Sequence, residues 1–361
     1  MRVLATIGFS FSAGVFLAAL LPWTGWQLYA AGGVLLLALA WLFAARKQKY
    51  FRRGLLILLP LVVSLAYFAG YDHLVRQPIE DRCGAASDFT ATVCDWPQAT
   101  ERGARVTVEL EGYHRARAVL YGEAELLAAR PGDTVTGTAQ WQSAAHFDSD
   151  DVTHFNARGV YALLYGREDV RLSAGDGDAL RWLPQRAGKA FREKVAAIWD
   201  DPRVSGFLTA ELTGDKSAMD DGDYLAMQET GLAHLFAVSG LHCAFLVTLL
   251  ALLISRRQRL LCAVTIPLLL FYMVMVGMSP SVVRACIMQI FLLIAPLFRR
   301  GSDPLTSLAA ALLVILLCNP FAAASVSLQL SFSATLGMVL LSPRLYKLCL
   351  LYTSPSPRDT R

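Results

Sequence analysis

Charged residues are scarce in this sequence, since Asp, Glu, Lys and Arg make up only 17% of its 361 residues. Hydrophobic residues make up 55%, and the mean hydropathy is +0.43. Soluble domains usually contain about 25% charged residues, so the composition excludes an ordinary water-soluble domain of this length. We therefore expect a polytopic α-helical membrane protein.

Eight apolar stretches approach the roughly 20 residues that a membrane-crossing helix needs. They are Val3–Leu21, Leu28–Ala45, Leu55–Tyr71, Leu232–Ile254, Leu260–Met278, Val282–Phe298, Pro304–Cys318 and Ala324–Leu341. The first lacks a convincing small-x-small cleavage site and is followed directly by a second, which favours a span over a signal peptide. The short stretch Pro304–Cys318 also suits a re-entrant segment, and both alternatives stay open.

The short loops predict the orientation, because loops rich in lysine and arginine stay in the cytoplasm. If the eight stretches all cross, the basic loops 46–53, 255–259 and 299–303 fall on one side, together with Arg344 and Lys347. The N-terminus is then expected in the cytoplasm, and residues 72–231 are expected outside.

Residues 79–178 differ from the apolar stretches around them. They alternate between apolar and polar residues, as in ARVTVELEGYH, and glycines interrupt them, so an antiparallel β-barrel or sandwich of the OB-like kind is predicted. From Glu80 to Asp178 there are 17 acidic residues against 9 arginines and no lysine, a net charge of −8 that opposes a polyanion. Local DNA contact would need Tyr113, Arg115 and Arg117, for which a solvated strand face is the alternative.

Two cysteines of this domain, Cys83 and Cys94, lie on the predicted outer side. An oxidising compartment permits a disulfide there, but sequence spacing does not show whether the two residues come within reach, so free thiols are the alternative.

Residues 179–230 are predicted to form amphipathic helices. The stretch RWLPQRAGKAFREKVAAIW places Ala187, Phe191, Val195 and Ile198 at helical spacing, with basic residues on other faces. Such a helix would lie in the outer membrane interface or cap the mouth of a cavity. The aspartates that follow invite a metal hypothesis, but capping of the next helix by Ser217 or Asp220 explains them more simply. They are Asp215, Asp220, Asp221 and Asp223.

The stretch ETGLAHLFAVSGLHCAFL places polar residues inside an apolar window. His234 and His242 are eight residues apart and project from one face of a helix, with Ser239 and Gly240 beside them. Intramembrane histidines are presumed functional, although hydrogen bonding between helices is the alternative.

Arg284, in the stretch SPSVVRACIM, is a second unusual residue for an apolar window. It stays charged, which costs about 2.5–3.5 kcal/mol at the centre of a spanning helix, and it can bind phosphate through planar donors. Gln329 and Ser331, early in the last window, could add uncharged donors to the same lining.

These stretches resemble the ComEC family of competence proteins. LTGDKSAMDDGDYLAMQETGLAHLFAVSGLHCAFLV, SPSVVRACIM and LQLSFSATLGM match family motifs in the family's order, and the FDSDDVTHFNARGVYALL stretch also fits. The resemblance implies a channel in the bacterial cytoplasmic (inner) membrane that passes single-stranded DNA during natural transformation. It also implies the lipid bilayer and other competence-machinery proteins as partners, and many members of the family add a metallo-β-lactamase-like domain. For this chain itself we predict no enzyme activity, cofactor or metal.

Two other functions fit the polar residues. A small-solute or proton-coupled transporter would use them equally well. An intramembrane hydrolase using Ser239 and His242 is less favoured, because no orienting third residue is evident and VSGLH is not a Gly-x-Ser-x-Gly elbow. The sequence also contains no metal-binding His-x-His-x-Asp-His run, so it indicates no nuclease.

The last residues, CLLYTSPSPRDTR, read as a translated sequencing adapter, so the natural protein is expected to be longer. The predicted divisions of the chain follow the composition and the motifs. They are three transmembrane helices in 1–71, an OB-like β-domain in 79–178, amphipathic helices in 179–230, an incomplete competence-type transmembrane domain in 231–348 and the adapter-derived stretch 349–361.

Overall fold

The fold comes from a computed structural model of the chain, which combines long helices with one β-barrel. The structure describes residues 3–20, 32–33, 36, 38, 40, 51–101, 103–113, 116–146, 154–167, 169–175, 177, 179–215, 218–232, 240–254, 257–298 and 303–353. Within these residues the longer helices are α1 (Val3–Leu20), α2 (Phe51–Tyr71), α3 (Leu183–Ile198), α4 (Pro202–Thr213), α5 (Asp221–Glu229), α6 (Gly240–Ile254), α7 (Gln258–Met275), α8 (Pro280–Ile294), α9 (Pro304–Cys318) and α10 (Val326–Thr353).

Seven strands form the β-domain. They are β1 (Ala86–Val93), β2 (Gln98–Thr100), β3 (Gly103–Leu110), β4 (Arg117–Gly122), β5 (Thr134–Ser143), β6 (Val160–Gly166) and β7 (Arg171–Ser173). Five of them close a barrel in the order β1-β3-β4-β6-β5, because β5 pairs back onto β1, while β2 and β7 extend its edges. The pairings are antiparallel except between β4 and β6, which run parallel. This closed five-stranded barrel confirms the OB-like prediction.

The alternation that predicted the strands also fills the barrel. Inward positions carry apolar side chains, as in β3, where Val106, Val108 and Leu110 are buried beside Trp141 of β5. The helix α2 continues through a π-helical turn, Asp72–Arg76, and one α-helical turn, Gln77–Glu80. Val75 and Ile79 of this extension enter the barrel core, so α2 leads directly into the barrel.

Helix α1 packs against both α2 and α9. Gly8 and Gly14 make this contact close, because a side chain at Gly8 would meet the carbonyl of Ala309 at 2.8 Å and one at Gly14 would meet Ser64. Phe11 and Val15 of α1 pack with Leu308, Leu312 and other buried residues of α9. Small residues thus bring the backbones together, as is common in membrane helix packing.

The turn after α9 attaches these helices to the barrel. Phe321 is 1% exposed and packs in the barrel core with the rings of Phe68, Tyr71 and Tyr161. Asn319 donates from its side-chain nitrogen to the carbonyls of residues 156 and 157 at 2.9 and 3.1 Å. One short turn therefore fixes the orientation of the barrel on the helices.

Among the described residues, four helices are long and apolar enough to cross a membrane. They are Arg53–Glu80, Gln258–Met275, Ser281–Phe298 and Val326–Tyr346. Three shorter apolar helices are Val3–Ala19, Gly240–Ile254 and Pro304–Cys318. These helices correspond to seven of the eight predicted stretches, and most of Leu28–Ala45 lies outside the described residues.

The structure bears on two predicted boundaries. Helix α6 is described from Gly240, and the predicted start, Leu232, lies in the turn after α5, while residues 233–239 lie outside the described residues. Helix α10 continues through Pro343 to Thr353, although a proline inside a helix usually ends it. It includes residues 349–353 of the predicted adapter-derived stretch, and that prediction still rests on the sequence alone.

Candidate functional site

Helix α6 contains Gly240 and His242 from the stretch ETGLAHLFAVSGLHCAFL, and it packs against α8. A side chain added at Gly240 would lie 3.7 Å from Ala285, in ordinary van der Waals contact with α8. The sulfur atoms of Cys243 and Cys286, both buried, lie 3.5 Å apart. His242 and Arg284 flank these cysteines in sequence, so the two residues lie on neighbouring helices at a similar level of the bundle.

His242 faces a carboxylate that the sequence did not reveal. Its Nε2 atom lies 3.8 Å from Oε1 of Glu211 on α4, and the two side chains are 20% and 33% exposed. A protonated imidazole would form an ion pair there, whereas a neutral ring retains only a weak polar contact at this distance. Glu211 therefore joins His242 as a member of the candidate site.

Arg284 points from α8 towards α10. One terminal nitrogen donates to the hydroxyl of Thr335 at 2.8 Å, and the guanidinium lies 5.8 Å from the centre of the Phe332 ring. Its Nε atom is buried without a hydrogen-bond partner, and no carboxylate pairs with the guanidinium within the described residues. This donor without a partner is unusual for a buried polar group and is available to an anionic or carbonyl ligand.

The two uncharged candidates of α10 have local contacts. Gln329 donates from its side-chain amide to the carbonyl of Ala323 at 2.9 Å, which stabilises the turn that precedes α10. The backbone carbonyl of Ser331 accepts a hydrogen bond from the hydroxyl of Thr335 at 2.8 Å. Thr335 thus connects Ser331 to Arg284, while Gln329 belongs to the junction with the barrel.

Tyr113 and Arg117, two of the candidate DNA contacts on the barrel, have different surroundings. Tyr113 packs against Trp141 with ring centres 6.3 Å apart, and the guanidinium of Arg82 lies 5.4 Å from the centre of its ring. Arg117 is exposed and stands opposite Glu109 on the neighbouring strand. Arg82 and Tyr113 line a polar cavity of about 390 Å³ to which Arg117 does not contribute.

Helix α3 lies between the barrel and the membrane-type helices. Trp96 of the barrel donates to the carbonyl of Gln185 at 3.0 Å, and the ammonium of Lys189 lies 3.8 Å from the centre of its ring. The backbone at Gly188 of the same helix lies close to Met275 at the end of α7. The predicted amphipathic helix is therefore placed at the barrel end of the bundle.

The predicted apolar face of α3 is only partly covered. Val195 is buried, whereas Ile198 is 67% exposed and Phe191 is 37% exposed. Leu180 and Leu183 before them are also exposed. This uncovered apolar face fits the predicted location in a membrane interface.

The acidic residues after α4 form ion pairs in the structure. Arg192 lies 3.4 Å from Asp215, and Arg203 lies 3.8 Å from both Asp220 and Asp223. Asp220 occupies the N-cap position of α5, as predicted, but its side chain makes no capping hydrogen bond. In the described part of the chain, no group of three or more His, Cys, Asp or Glu side chains is arranged to hold a metal ion.

One further acidic group lies beside this cluster. Desolvation by neighbouring protein atoms raises the pKa of Asp95, although the residue is still exposed on the surface, while the backbone amide of Trp96 and the charge of Arg192 act in the opposite direction. The carboxylate is consequently less favourable in the folded protein than in the unfolded chain.

The two cysteines of the β-domain are free thiols. Cys83 donates to the carbonyl of Ile79 at 3.4 Å, and Cys94 donates to that of Thr92 at 3.6 Å. Burial, with Glu80 beside Cys83, raises the pKa of each thiol to about 11. Cys83 and Cys94 therefore do not form the disulfide that the sequence allowed. Because their pKa values are raised, few of the thiols are ionised near neutral pH, and both should react slowly.

Three predicted site residues lie outside the described residues, namely His234, Ser239 and Arg115. Within the described residues, His242 contacts Glu211, and Arg284 contacts Thr335. The helices that carry His242 and Arg284, α6 and α8, are neighbours. Glu211 and Thr335 were missed because each meets its partner only through tertiary packing.

The fold and this site together define an apolar, multi-helix protein of the membrane type with an OB-like barrel at one end. Residues 212–359 match the family model described as Competence protein. Over 144 residues the chain is 32% identical to ComE operon protein 3 of Bacillus subtilis (strain 168), which is 39% of this chain and 19% of that protein. No solved structure matched the chain. The C-terminal part of the chain is thus similar to the ComEC family of competence proteins, as its motifs indicated, and the chain spans about a fifth of the length of this relative.

Proposed function

We propose that this chain is part of a channel in the bacterial cytoplasmic membrane that passes single-stranded DNA into the cell during natural transformation. Its immediate partners would be the DNA strand, the lipid bilayer and other competence proteins. The observation that carries the proposal is Arg284, a partly buried cation whose buried Nε lacks a hydrogen-bond partner, within the region that matches the Competence family.

The packing of the helices supports the proposed orientation. The barrel and α3 contact the end of α2, the turn after α9 and the end of α7. The start of α6 lies at the same end, because His242 reaches Glu211 on α4. The charge rule assigns all of these helix ends to the outside, and it assigns the basic loops to the opposite ends. Packing and charge thus agree on one orientation.

The polar groups near that outer end suit a phosphate backbone. Phosphates do not cross hydrocarbon unassisted, so a strand in transit needs fixed positive charge and hydrogen-bond donors along its path. Arg284 supplies planar donors, and Thr335 on α10 holds one of its nitrogens in place. His242 would add a positive charge when protonated, and Glu211 would moderate that charge.

In this proposal the barrel lies at the outer end of the helices, but it does not supply the positive charge that DNA binding needs. Its net charge of −8 over residues 80–178 opposes general DNA binding, and Arg117 does not line the cavity that Tyr113 lines. The basic residues of α3 include Lys189, which lies over Trp96 of the barrel, and Arg192, and they are the better candidates for the first contact with an incoming strand.

A proton-coupled transporter of small solutes is the alternative, and the contact between His242 and Glu211 favours it specifically. An imidazole and a carboxylate at a helix end can exchange a proton with the outer solution. Glu211 also supplies the orienting carboxylate that a hydrolase using His242 would need, although the family relationship favours a channel component over an enzyme.

The test measures transformation frequency and uptake of labelled DNA in a competent host that carries the complete gene. Arg284→Ala should lower both by on the order of tenfold to a hundredfold, because a lost charge-assisted hydrogen bond costs about 1.5–3 kcal/mol. Arg284→Lys keeps the charge and should lose less. Arg203→Ala, which removes an exposed arginine from α4, is the matched control and should leave uptake near normal.

The alternatives predict other outcomes. His242→Ala that abolishes proton-linked solute flux while DNA uptake stays normal would establish the transporter instead. A fluorophosphonate probe that labels Ser239 would establish a hydrolase. Normal DNA uptake by Arg284→Ala, at normal abundance in the membrane, would contradict the channel proposal.

A further inference from the structure

A cavity of about 600 Å³ lies at the end of the bundle opposite the barrel. It is lined by the start of α7, with Arg257, Gln258, Arg259 and Leu260, and by Pro296 and Leu297 at the end of α8. Cavities of 300–1,000 Å³ are the size that binds small molecules and lipid headgroups. Nothing in the proposed DNA path involves these residues.

The electrostatics of the cavity favour an anion. Between Glu229 and Asp303 the sequence contains six arginines and no acidic residue. Two of the six, Arg257 and Arg259, line the cavity and are exposed. Within the described residues neither forms an ion pair with a carboxylate. Two guanidinium groups on one cavity wall provide the planar donors that bind a phosphate group.

The remaining lining is apolar and also faces outward. Leu260 is 47% exposed and Leu297 is 41% exposed, although both sit beside the arginines. The floor between the helices is fixed, because Gln258 donates to the carbonyl of Leu293 at 2.9 Å and Cys262 donates to the same carbonyl at 3.2 Å. A charged wall next to an apolar wall fits a molecule that joins a phosphate to a hydrocarbon chain.

We propose that this cavity is a binding site for the phosphate headgroup of an anionic phospholipid in the cytoplasmic leaflet. Arg257 and Arg259 hold the phosphate, while Leu260, Pro296 and Leu297 contact the first part of the acyl chains. The assignment uses the orientation of the proposed function, since the cavity lies at the end with basic loops. It goes beyond that function, because no DNA contact is involved. Basic pockets between membrane helices on this side commonly bind anionic headgroups.

The test is native mass spectrometry of the full chain in detergent, with phosphatidylglycerol or phosphatidylethanolamine added. Wild-type protein should retain phosphatidylglycerol in preference. The double variant Arg257→Gln/Arg259→Gln should bind it about 25-fold more weakly, because each arginine near an anionic lipid contributes roughly a factor of five. The control Arg105→Gln/Arg171→Gln makes the same charge change on the barrel and should bind like the wild type.

Competition measurements show whether the site prefers the phosphate of a lipid to inorganic phosphate or to the phosphates of DNA. Inorganic phosphate or a single-stranded oligonucleotide, at the concentration that saturates phosphatidylglycerol, should displace little lipid. The variant Arg257→Lys/Arg259→Lys should bind with intermediate affinity, since lysine keeps the charge but not the planar donors.

Several results would overturn the assignment. They are equal retention of the two lipids, unchanged lipid binding by a folded glutamine double variant, and displacement of the lipid by phosphate or by the oligonucleotide. Because the measurement does not involve DNA uptake, its failure would leave the channel proposal standing, and failure of the channel proposal would not alter the lipid result.

Discussion

Phe321 should determine whether the barrel and the helices behave as one unit. Its side chain is 1% exposed, and its ring centre lies 5.2 Å from that of Phe68 and 6.0 Å from that of Tyr161. Truncation of a buried phenylalanine to alanine costs about 3–5 kcal/mol, from lost burial and the cavity left behind. We therefore expect Phe321→Ala to destabilise the barrel by that amount.

The measurement is urea unfolding of the purified protein in detergent, followed by the fluorescence of the buried Trp141. With a slope of about 2 kcal/mol per molar urea, the loss should lower the midpoint by roughly 1.5–2.5 M. Phe321→Leu should restore part of the loss, because it refills most of the volume. Phe245→Ala, at a 68% exposed position on α6, is the control. A midpoint that moves by less than about 0.5 M would refute the structural role given to Phe321.

Three further predictions concern the junction and the barrel. Asn319→Ala removes two hydrogen bonds to backbone carbonyls and should cost about 1–3 kcal/mol in the same urea assay, and an unchanged midpoint would disprove the role of this side chain. Because the pKa of Asp95 is raised on folding, its contribution to stability is greatest at low pH and is lost as pH rises through the folded-state pKa. Asp95→Asn should therefore raise the urea midpoint at pH 7 but not at pH 3, and equal shifts at both pH values would contradict this. Cys83 and Cys94, with pKa values of about 11, should react slowly with iodoacetamide at pH 7.5 in the folded protein and fully after denaturation without reductant; mass spectrometry that finds them blocked would indicate a disulfide.

The sequence predicted the features that depend on local patterns. Apolar length located α7, α8 and α10, because burial in hydrocarbon constrains every residue of a span. Alternation located the barrel strands, because one face of each strand fills the core, as in β3. The OB-like form of the barrel was also predicted, and the pairing of β5 with β1 confirms it.

The contacts between segments could not be read from such patterns. The stretch around Phe321 looked like an ordinary link between two apolar stretches, yet it enters the core of another domain. Glu211 and His242 are 31 residues apart, and no periodicity relates them. The end of α10 was placed too early, because a proline usually ends a helix, whereas α10 continues through Pro343 with exposed residues on both sides.

For the candidate site too, the sequence predicted some residues, whereas their partners came only from the structure. Arg284 was singled out because a charge in an apolar helix is costly, and that reasoning needed no partner. Its partner Thr335 came only from the packing of α8 against α10. Gln329, in contrast, was predicted to be a hydrogen-bond donor in the DNA path, but in the structure its side chain donates to the carbonyl of Ala323 in the turn before α10.

Photocrosslinking to DNA in transit tests the central claim most directly. A benzophenone amino acid placed at Thr335, beside Arg284, would be activated while labelled DNA is being taken up by cells carrying the complete gene. The same residue at Met338, which is 63% exposed on the same helix, is the control. The proposal predicts crosslinks to single-stranded DNA from position 335 and few from position 338. Equal crosslinking at the two positions, or none at position 335 in cells that still take up DNA, would contradict it.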